Sequence, residues 1–574
     1  MRTPSLPPAA TAALARHARW LVPAVVTLAS ALLLLTRLDT PERIVFDETY
    51  YVNDARAMLE TGVEDGFAVH PPVGKWLIAA GIALLGDTPV GWRFPTALAG
   101  VLTVLLTTLL AQRLTGRASI AALAGGLLAV DGMLIVQSRT SMLDQPLALF
   151  VVLGIWLVVL DRDRAGLLDG PPDPPAAPDD ADPDELAPPP PALPRRGHPF
   201  RVLAGVAFGL AIGTKWSGAL GLGAAGLLVL GWELGWRRRW TGRWHAALPR
   251  LVGSVGLGLV VVPLVVYALA WVPWLVQYPY THEAKDECRD EQEQVVDPCG
   301  VSPVGRVAGL WRFHLAIARF HDGLEATHPY RASPVTWPVI ARPVVYYYET
   351  CSQDRFDRVP ETDGETGEVT VPDPCVVERG QAAEMIGMGN PATWWGFLAA
   401  APLLLAGWRR RDGVAAVAVV AWLSQYVPWL AVSRPAFFFY TVPIVPFVAL
   451  GVAVAVGGID PRRRWRWTYG GALAGALLGL GLGFGLAMAL GWQTWGARLL
   501  PAGVGWALGA LVGARVDDAR GPLPGPPRVR RRLVPTVVLA GLALGLFVYF
   551  APVWLGIPMD EALVRQRWWF PGWV

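Results

Sequence analysis

The sequence predicts an all-α polytopic membrane protein, and three observations carry that expectation. The 574 residues are 53% hydrophobic, with a mean hydropathy of +0.38. Only 17% are charged, fewer than a soluble chain of this length carries. The apolar residues fall in blocks of about 20, the length that spans a bilayer core.

About 11–13 transmembrane helices are expected. The candidate segments are roughly 20–38, 92–112, 118–137, 142–160, 201–214, 217–236, 251–275, 393–408, 413–432, 437–457, 468–490, 497–514 and 533–552. The first, Trp20 to Leu38, is longer than a signal h-region and no small-residue cleavage site follows it, so it reads as a retained span. Orientation comes from the basic loops. Arg16 and Arg19, Arg113 and Arg117, Arg237 to Arg239, Arg409 to Arg411, Arg462 to Arg464 and Arg530 to Arg532 all fall on one side if the spans alternate. The positive-inside rule makes that side cytoplasmic.

Three regions follow. Residues 1–275 form an N-terminal transmembrane part with a first outer loop over 39–91. Residues 276–392 form a large extracytoplasmic loop, and 393–574 a C-terminal transmembrane part. The Pro- and Asp-rich segment 161–200 is expected to be a disordered cytoplasmic loop, because it has nothing to bury. All four cysteines, Cys288, Cys299, Cys351 and Cys375, lie in the large outer loop, which suits disulfides in an oxidising compartment. Pairing 288–299 and 351–375 is the simplest of three possibilities. No His stands at zinc-like spacing to them, so no metal site is expected.

The chain uses 46 Arg but 3 Lys, and only 2 Asn. Against that bias Lys75, Lys215, Asn53 and Asn390 stand out. The first outer loop opens Phe46-Asp47-Glu48-Thr49-Tyr50-Tyr51, two adjacent carboxylates just beyond a span. One reading is a helix start with Asp47 as N-cap. The other is a general base at the membrane face, where a lipid-borne substrate presents its head group. Short helices are expected over 49–60 and 73–85, the second lying in the interface. His70-Pro71-Pro72-Val73-Gly74-Lys75-Trp76 sets an ammonium beside an indole, which either binds phosphate or anchors the helix. Lys215-Trp216 repeats the pair at another outer helix end. Arg93 begins the second span from outside, and Arg139 and Asp144 occupy a tight outer turn. Ionisable groups there are costly unless they pair or bind something. Arg139 and Asp144 pair with each other, or a guanidinium grips a lipid phosphate, whose oxygens its fork matches. Later outer segments add Arg331 in His328-Pro329-Tyr330-Arg331 and Arg434 in Arg434-Pro435-Ala436-Phe437-Phe438-Phe439-Tyr440.

No phosphate-binding Walker loop, dinucleotide fingerprint or metalloprotease helix occurs in a suitable context. No outer Asp-x-Asp with supporting context is found, and nucleotide sugars are cytoplasmic, so a lipid-linked sugar donor fits the outer location better. No nucleic-acid partner is expected.

Taken in order, the Phe46–Tyr51 and His70–Trp76 motifs, Gly91-Trp92-Arg93, Ser138-Arg139 through Asp144 and Lys215-Trp216-Ser217 resemble the protein O-mannosyltransferase family of the GT-C class. So do His328-Pro329-Tyr330 through Trp337-Pro338, Gly389-Asn390-Pro391, Arg434-Pro435 through Tyr440 and the Trp-rich tail. The resemblance is to the actinobacterial type and runs through nearly the whole chain. It implies a polyprenyl-phosphate mannose donor, Ser/Thr hydroxyls of secreted polypeptides as acceptors, delivery through the Sec translocon, inversion at the anomeric centre, and no cofactor or required metal. Asp47 matches the family's acidic catalytic position and Glu48 its neighbour. Arg93, with Lys75, Arg139, Asp144, Lys215, Arg331 and Arg434, is assigned to the donor phosphate, and Tyr50, Tyr51 and His70 to the acceptor. The implied place is the plasma membrane, in contact with its lipids, with an extracytoplasmic active site. The large loop is too short for the carbohydrate-binding module of eukaryotic members, and the pair 468–490 and 497–514 is additional to the familiar eleven spans. Two rivals remain: a GT-C transferase acting on a lipid or glycan acceptor, and a transporter or flippase, whose charges would cluster at the midplane.

Overall fold

The computed structural model describes residues 8–64, 69–168, 197–245, 248–289, 295, 299–323, 328–352, 361–362, 369–370, 374–432, 434–458, 465–490, 495–521 and 530–573. The N-terminal half runs α1 (Pro8–Leu35), α2 (Glu48–Thr61), α3 (Val73–Leu85), α4 (Pro89–Thr115), α5 (Ala118–Ala129), α6 (Gly132–Ser138), α7 (Asp144–Arg164), α8 (Pro199–Thr214) and α9 (Gly218–Thr241). Then α10 (Leu248–Gly256), a π-helical turn and α11 (Val262–Ala270) form one span, followed after a turn at Trp271 by the short α12 (Val272–Val276). The large loop carries α13 (Pro303–Asp322). The C-terminal part contains α14 (Pro391–Arg409), α15 (Gly413–Tyr426), α16 (Val445–Gly458), α17 (Arg466–Leu490), α18 (Trp495–Ala519) and α19 (Arg530–Leu555).

Among the described residues eight helices are long and apolar enough to cross a membrane, or nine if the bent pair α5–α6 is one span. The expected span 118–137 is this pair, bent by 60°. The cause is Asp131, whose carboxylate caps α6 by accepting from the Met133 and Leu134 amides. The same carboxylate accepts from the Asn390 amide and the Trp394 indole, so the break is locked to the start of α14. Segments 201–214 and 437–457 appear as the shorter apolar helices α8 and α16. The latter starts late, at Val445, after a 3-10 turn over Phe438–Thr441. The additional pair, α17 and α18, packs through glycine. A Cβ on Gly471, Gly475 or Gly505 would lie about 2 Å from the backbone oxygen of the facing helix, the close approach that small residues permit in lipid.

The middle of the 161–200 segment, residues 169–196, lies outside the described residues. Its ends are ordered: α7 continues to Arg164, and Asp161 is buried. The reason is an ion network. Arg201, fully buried, donates to Asp161 (3.1 Å), Glu233 (2.9 Å) and Ser254 (2.9 Å), tying α7, α8, α9 and α10 together. The basic run Arg462–Arg464 also lies outside the described residues.

The large loop holds a small sheet that the sequence reading did not include. Strand β1 (Val344–Thr350) pairs antiparallel with β2 (Gln381–Gly387), in register Val344 with Gly387 and Thr350 with Ala382, and β3 (Met559–Asp560) joins the far side of β2. Cys351 is bonded to Cys375 and Cys288 to Cys299. The sheet, α2, α3 and α13 gather at one end of the bundle.

Candidate active site

The acidic pair divides into two unlike residues. Asp47 occupies the N-cap position of α2 but is itself helical (φ −70°, ψ −4°), and its side chain makes no cap. Its aim is set by Phe46, a non-glycine residue at φ +51°. That conformation is costly for an aromatic residue. Here the Phe46 ring is held between Tyr346 (4.6 Å) and Phe439 (5.8 Å).

Glu48 points the other way, into the core. It accepts from the Val45 and Ser141 amides (2.9 and 2.8 Å) and from Arg93 Nε and Nη2 (2.8 and 2.9 Å). Arg93 also donates to the carbonyls of Leu38, Pro41 and Arg43. Five donors meet five acceptors, and both side chains are fully buried. The assignments of Arg93 to donor phosphate and of Glu48 to catalysis do not fit this geometry. No donor of Arg93 is left to offer, and the pair fixes the loop from Leu38 to Glu48.

Arg139 does not meet Asp144 either. Its Nη1 donates to the carbonyls of Leu33 and Thr36, and its Nη2 to Arg37 (2.7 Å), closing the end of α1. Lys75 is buried in an ion pair with Asp54 (3.0 Å), one turn beyond Tyr51 on α2. Arg331 is exposed and does not line the cavity described next, and Tyr50 is 66% exposed.

The remaining candidates converge. A cavity of about 270 Å³ is lined by His70, Asp144, Lys215, Trp216, His321, Gln425, Arg434 and Tyr440, among others. Lys215 holds both oxygens of Asp144 (3.0 and 2.9 Å) and lies over the ring of Tyr440. Arg434 bonds His321 Nδ1 (2.6 Å) and the Tyr440 hydroxyl (3.2 Å). The His70 ring stacks on His321 at 5.6 Å and meets Tyr51 at 6.2 Å.

The electrostatics follow from this crowding. Burial pushes Asp47 up to about 6, opposed by the charge of Lys215 and assisted by that of Asp144. Burial, with Lys215 and other nearby cations, holds His70 well below its usual range. Burial and Arg434 lower His321 to about 4, so both imidazoles are neutral at pH 7. Burial, then the charge of Asp47, raises the Tyr51 hydroxyl. No hydrogen bond or ion pair ends on the Asp47 carboxylate among the described residues, which leaves it available to a proton. The site therefore sets a carboxylate base beside a half-enclosed cation pair with aromatic walls.

His321 and Asp54 were absent from the sequence candidates. Both carried a periodic signal: His314 and His321 stand seven apart on one helix, and Asp47, Tyr51 and Asp54 recur at helical spacing.

A family model described as the C-terminal four-transmembrane region of protein O-mannosyltransferase matches residues 307–573. One described as dolichyl-phosphate-mannose-protein mannosyltransferase matches residues 69–165. The polyprenol-phosphate-mannose–protein mannosyltransferase of Mycobacterium tuberculosis is 33% identical over 485 residues, covering 79% of this chain and 84% of that one. Its counterpart in Corynebacterium glutamicum is 26% identical, covering 96% and 91%. The solved S. cerevisiae protein O-mannosyltransferase Pmt1–Pmt2 complex bound to the sugar donor superposes with a TM-score of 0.62 at 13% identity, covering 97% of this chain and 92% of that one. That likeness is one of fold, the GT-C architecture of a multi-pass membrane protein. With the identity to the mycobacterial protein spanning most of both chains, this protein belongs to the protein O-mannosyltransferase family and is a glycosyltransferase.

Proposed function

We propose that the protein transfers mannose from polyprenyl-phosphate mannose to Ser or Thr hydroxyls of secreted or membrane proteins, with inversion, at the extracytoplasmic face of the plasma membrane. The observation that carries this reading is the lone Asp47 carboxylate, raised to about 6, beside the Lys215–Arg434 cavity. The acceptor hydroxyl passes its proton to Asp47 as its oxygen bonds to the anomeric carbon. The bond from that carbon to the phosphate oxygen breaks, and its electron pair leaves on polyprenyl phosphate. Lys215 and Arg434 meet that charge, so the leaving group needs no acid, and the chemistry calls on no cofactor. Base and clamp on opposite sides of the sugar give inversion. The orientation is supported by Arg113, Arg117, Arg237 to Arg239 and Arg409 to Arg411, at the end of the bundle away from the site. Acceptors would arrive unfolded from the Sec translocon.

Purified protein, polyprenyl-phosphate mannose with a labelled sugar, and a Thr/Pro-rich peptide test the reading. Label on the peptide supports it; label in a lipid or glycan product would move the acceptor class, and no transfer would overturn the proposal. Two further outcomes are expected. Since the base acts as carboxylate, kcat/KM should fall as pH drops through about 6, tracking the free-enzyme Asp47; a profile flat from pH 7.5 to 5 would exclude Asp47 as the base. Arg434→Ala should raise donor KM or lower kcat by about 10- to 150-fold while peptide KM stays fixed, the loss of a charge-assisted bond of roughly 1.5–3 kcal/mol. An effect on peptide KM alone would place Arg434 in the acceptor groove.

A further inference from the structure

Helix α13 is not among the candidate spans, yet it carries two apolar faces. One packs inward, with Phe313 and Ile317 buried against Trp271, Trp274 and Tyr278. The other faces outward. Val304, Val307, Trp311 and Leu315 are 79, 57, 66 and 37% exposed. Their spacing of three and four residues sets them on one stripe of an α-helix. Arg312 and Arg319, both exposed, border the stripe on one side.

We propose that this stripe is a docking surface for lipid acyl chains in the leaflet on the site's side of the membrane, so that α13 lies in the membrane plane as a lipid-seated wall of the cavity. Continuity favours lipid over a protein partner. Arg306 Nη1 donates to the carbonyls of Leu275 and Val276 (both 3.2 Å), fastening the start of α13 to the end of α12, directly after the span Leu248–Ala270. The outward face of the span Leu248–Ala270 is apolar and open, with Leu264 and Leu269 62 and 60% exposed, and just beyond it Val276 is 61% exposed. The stripe on α13 extends that surface sideways at the bilayer edge. Arg312 reaches Glu287 (3.6 Å), and Arg319 stands where an interfacial helix places a cation against phosphate head groups. Trp311 sits mid-stripe, an indole at interface depth.

The inward side of the same helix bears His314 and His321. His314 bonds Tyr267 (2.8 Å), and His321 stacks on His70 and meets Arg434. Lipid that fixes the depth of α13 therefore fixes the height of one cavity wall. This consequence rests on the reading of the cavity as the donor's; the lipid contact does not.

The test reads collisions rather than turnover, so it stands apart from the transfer assay. Val304→Cys, Val307→Cys, Trp311→Cys and Leu315→Cys are made singly, spin-labelled and reconstituted in phosphatidylethanolamine–phosphatidylglycerol vesicles. The four native cysteines are in disulfides and do not compete. Arg331→Cys, at an exposed position, is the water reference. Power saturation should show the four stripe labels relaxed more by oxygen than by a water-soluble nickel chelate, by severalfold relative to the reference. Nickel access equal to the reference would leave the stripe in water and overturn the proposal. Exclusion of both reagents, with spin–spin broadening that grows with protein density, would put a second copy of the chain on the stripe and overturn it equally. Four positions are read because a single substitution, above all at Trp311, can disturb the helix it reports on.

Discussion

Asp47→Asn is expected to lower turnover by about 100- to 10,000-fold, the usual cost of losing a positioned general base. The substitution preserves shape and removes only the capacity to take a proton. The fold should not suffer. Asp47 makes no side-chain cap. Burial holds its pKa above the ordinary carboxylate value, so the folded state disfavours its charged form. A carboxyl raised in this way contributes stability at low pH and loses it as pH climbs from about 4 towards 6. At pH 7 the Asn variant should therefore melt no lower than the parent. Membrane insertion, yield and unfolding midpoint unchanged, with transfer to peptide abolished, is the expected pattern. Donor binding should persist, because Lys215 and Arg434 remain. Wild-type rates in Asp47→Asn would remove the base from this position and require another carboxylate in reach of the sugar.

What the sequence made legible was whatever is encoded in local pattern. Spans announce themselves by length and hydropathy, so α1, α4, α7, α9 and α19 stand close to the expected places. The helices at Glu48–Thr61 and Val73–Leu85 were equally plain. The acidic pair was visible because two carboxylates directly after a span are unusual. Which of the two was free was not visible. Glu48 and Arg93 are 45 residues apart, and nothing local says that five acceptors surround that guanidinium. Every basic group near the outer face was thus an equal candidate for phosphate. Folding sorted them: Arg93 and Arg139 were spent on carbonyls and a carboxylate, Lys75 on Asp54, and Lys215 and Arg434 were brought to the cavity. The strand β1 is a different case. Val344-Val345-Tyr346-Tyr347-Tyr348 is a β-branched and aromatic run with a strong strand preference, and its signal was local. It matters to the site because Tyr346 holds Phe46 and so orients Asp47.

Arg93→Ala should act on the amount of folded protein rather than on donor affinity. The substitution leaves Glu48 as an uncompensated buried charge, and breaking such a pair costs about 3–5 kcal/mol. It also leaves the carbonyls of Leu38, Pro41 and Arg43 without their donor. Arg93→Lys should rescue little, because an ammonium supplies three donors where the fork supplies five. Glu48→Gln should be milder than Arg93→Ala, since its one amide oxygen, in the place of Oε1, can still accept from Arg93 Nε and the Ser141 amide, and only the acceptor for Val45 and Arg93 Nη2 is lost. In the double variant Glu48→Leu with Arg93→Met no buried charge remains, so its loss should be smaller than the sum of the single losses. Detergent-solubilised yield and thermal unfolding read these effects. Donor and peptide KM, measured on whatever folded fraction survives, should both stay near the parent values. If Arg93→Ala instead folded normally and raised donor KM alone, the guanidinium would have to turn from its five acceptors to the donor phosphate, and the clamp would return to the place that the family resemblance first suggested.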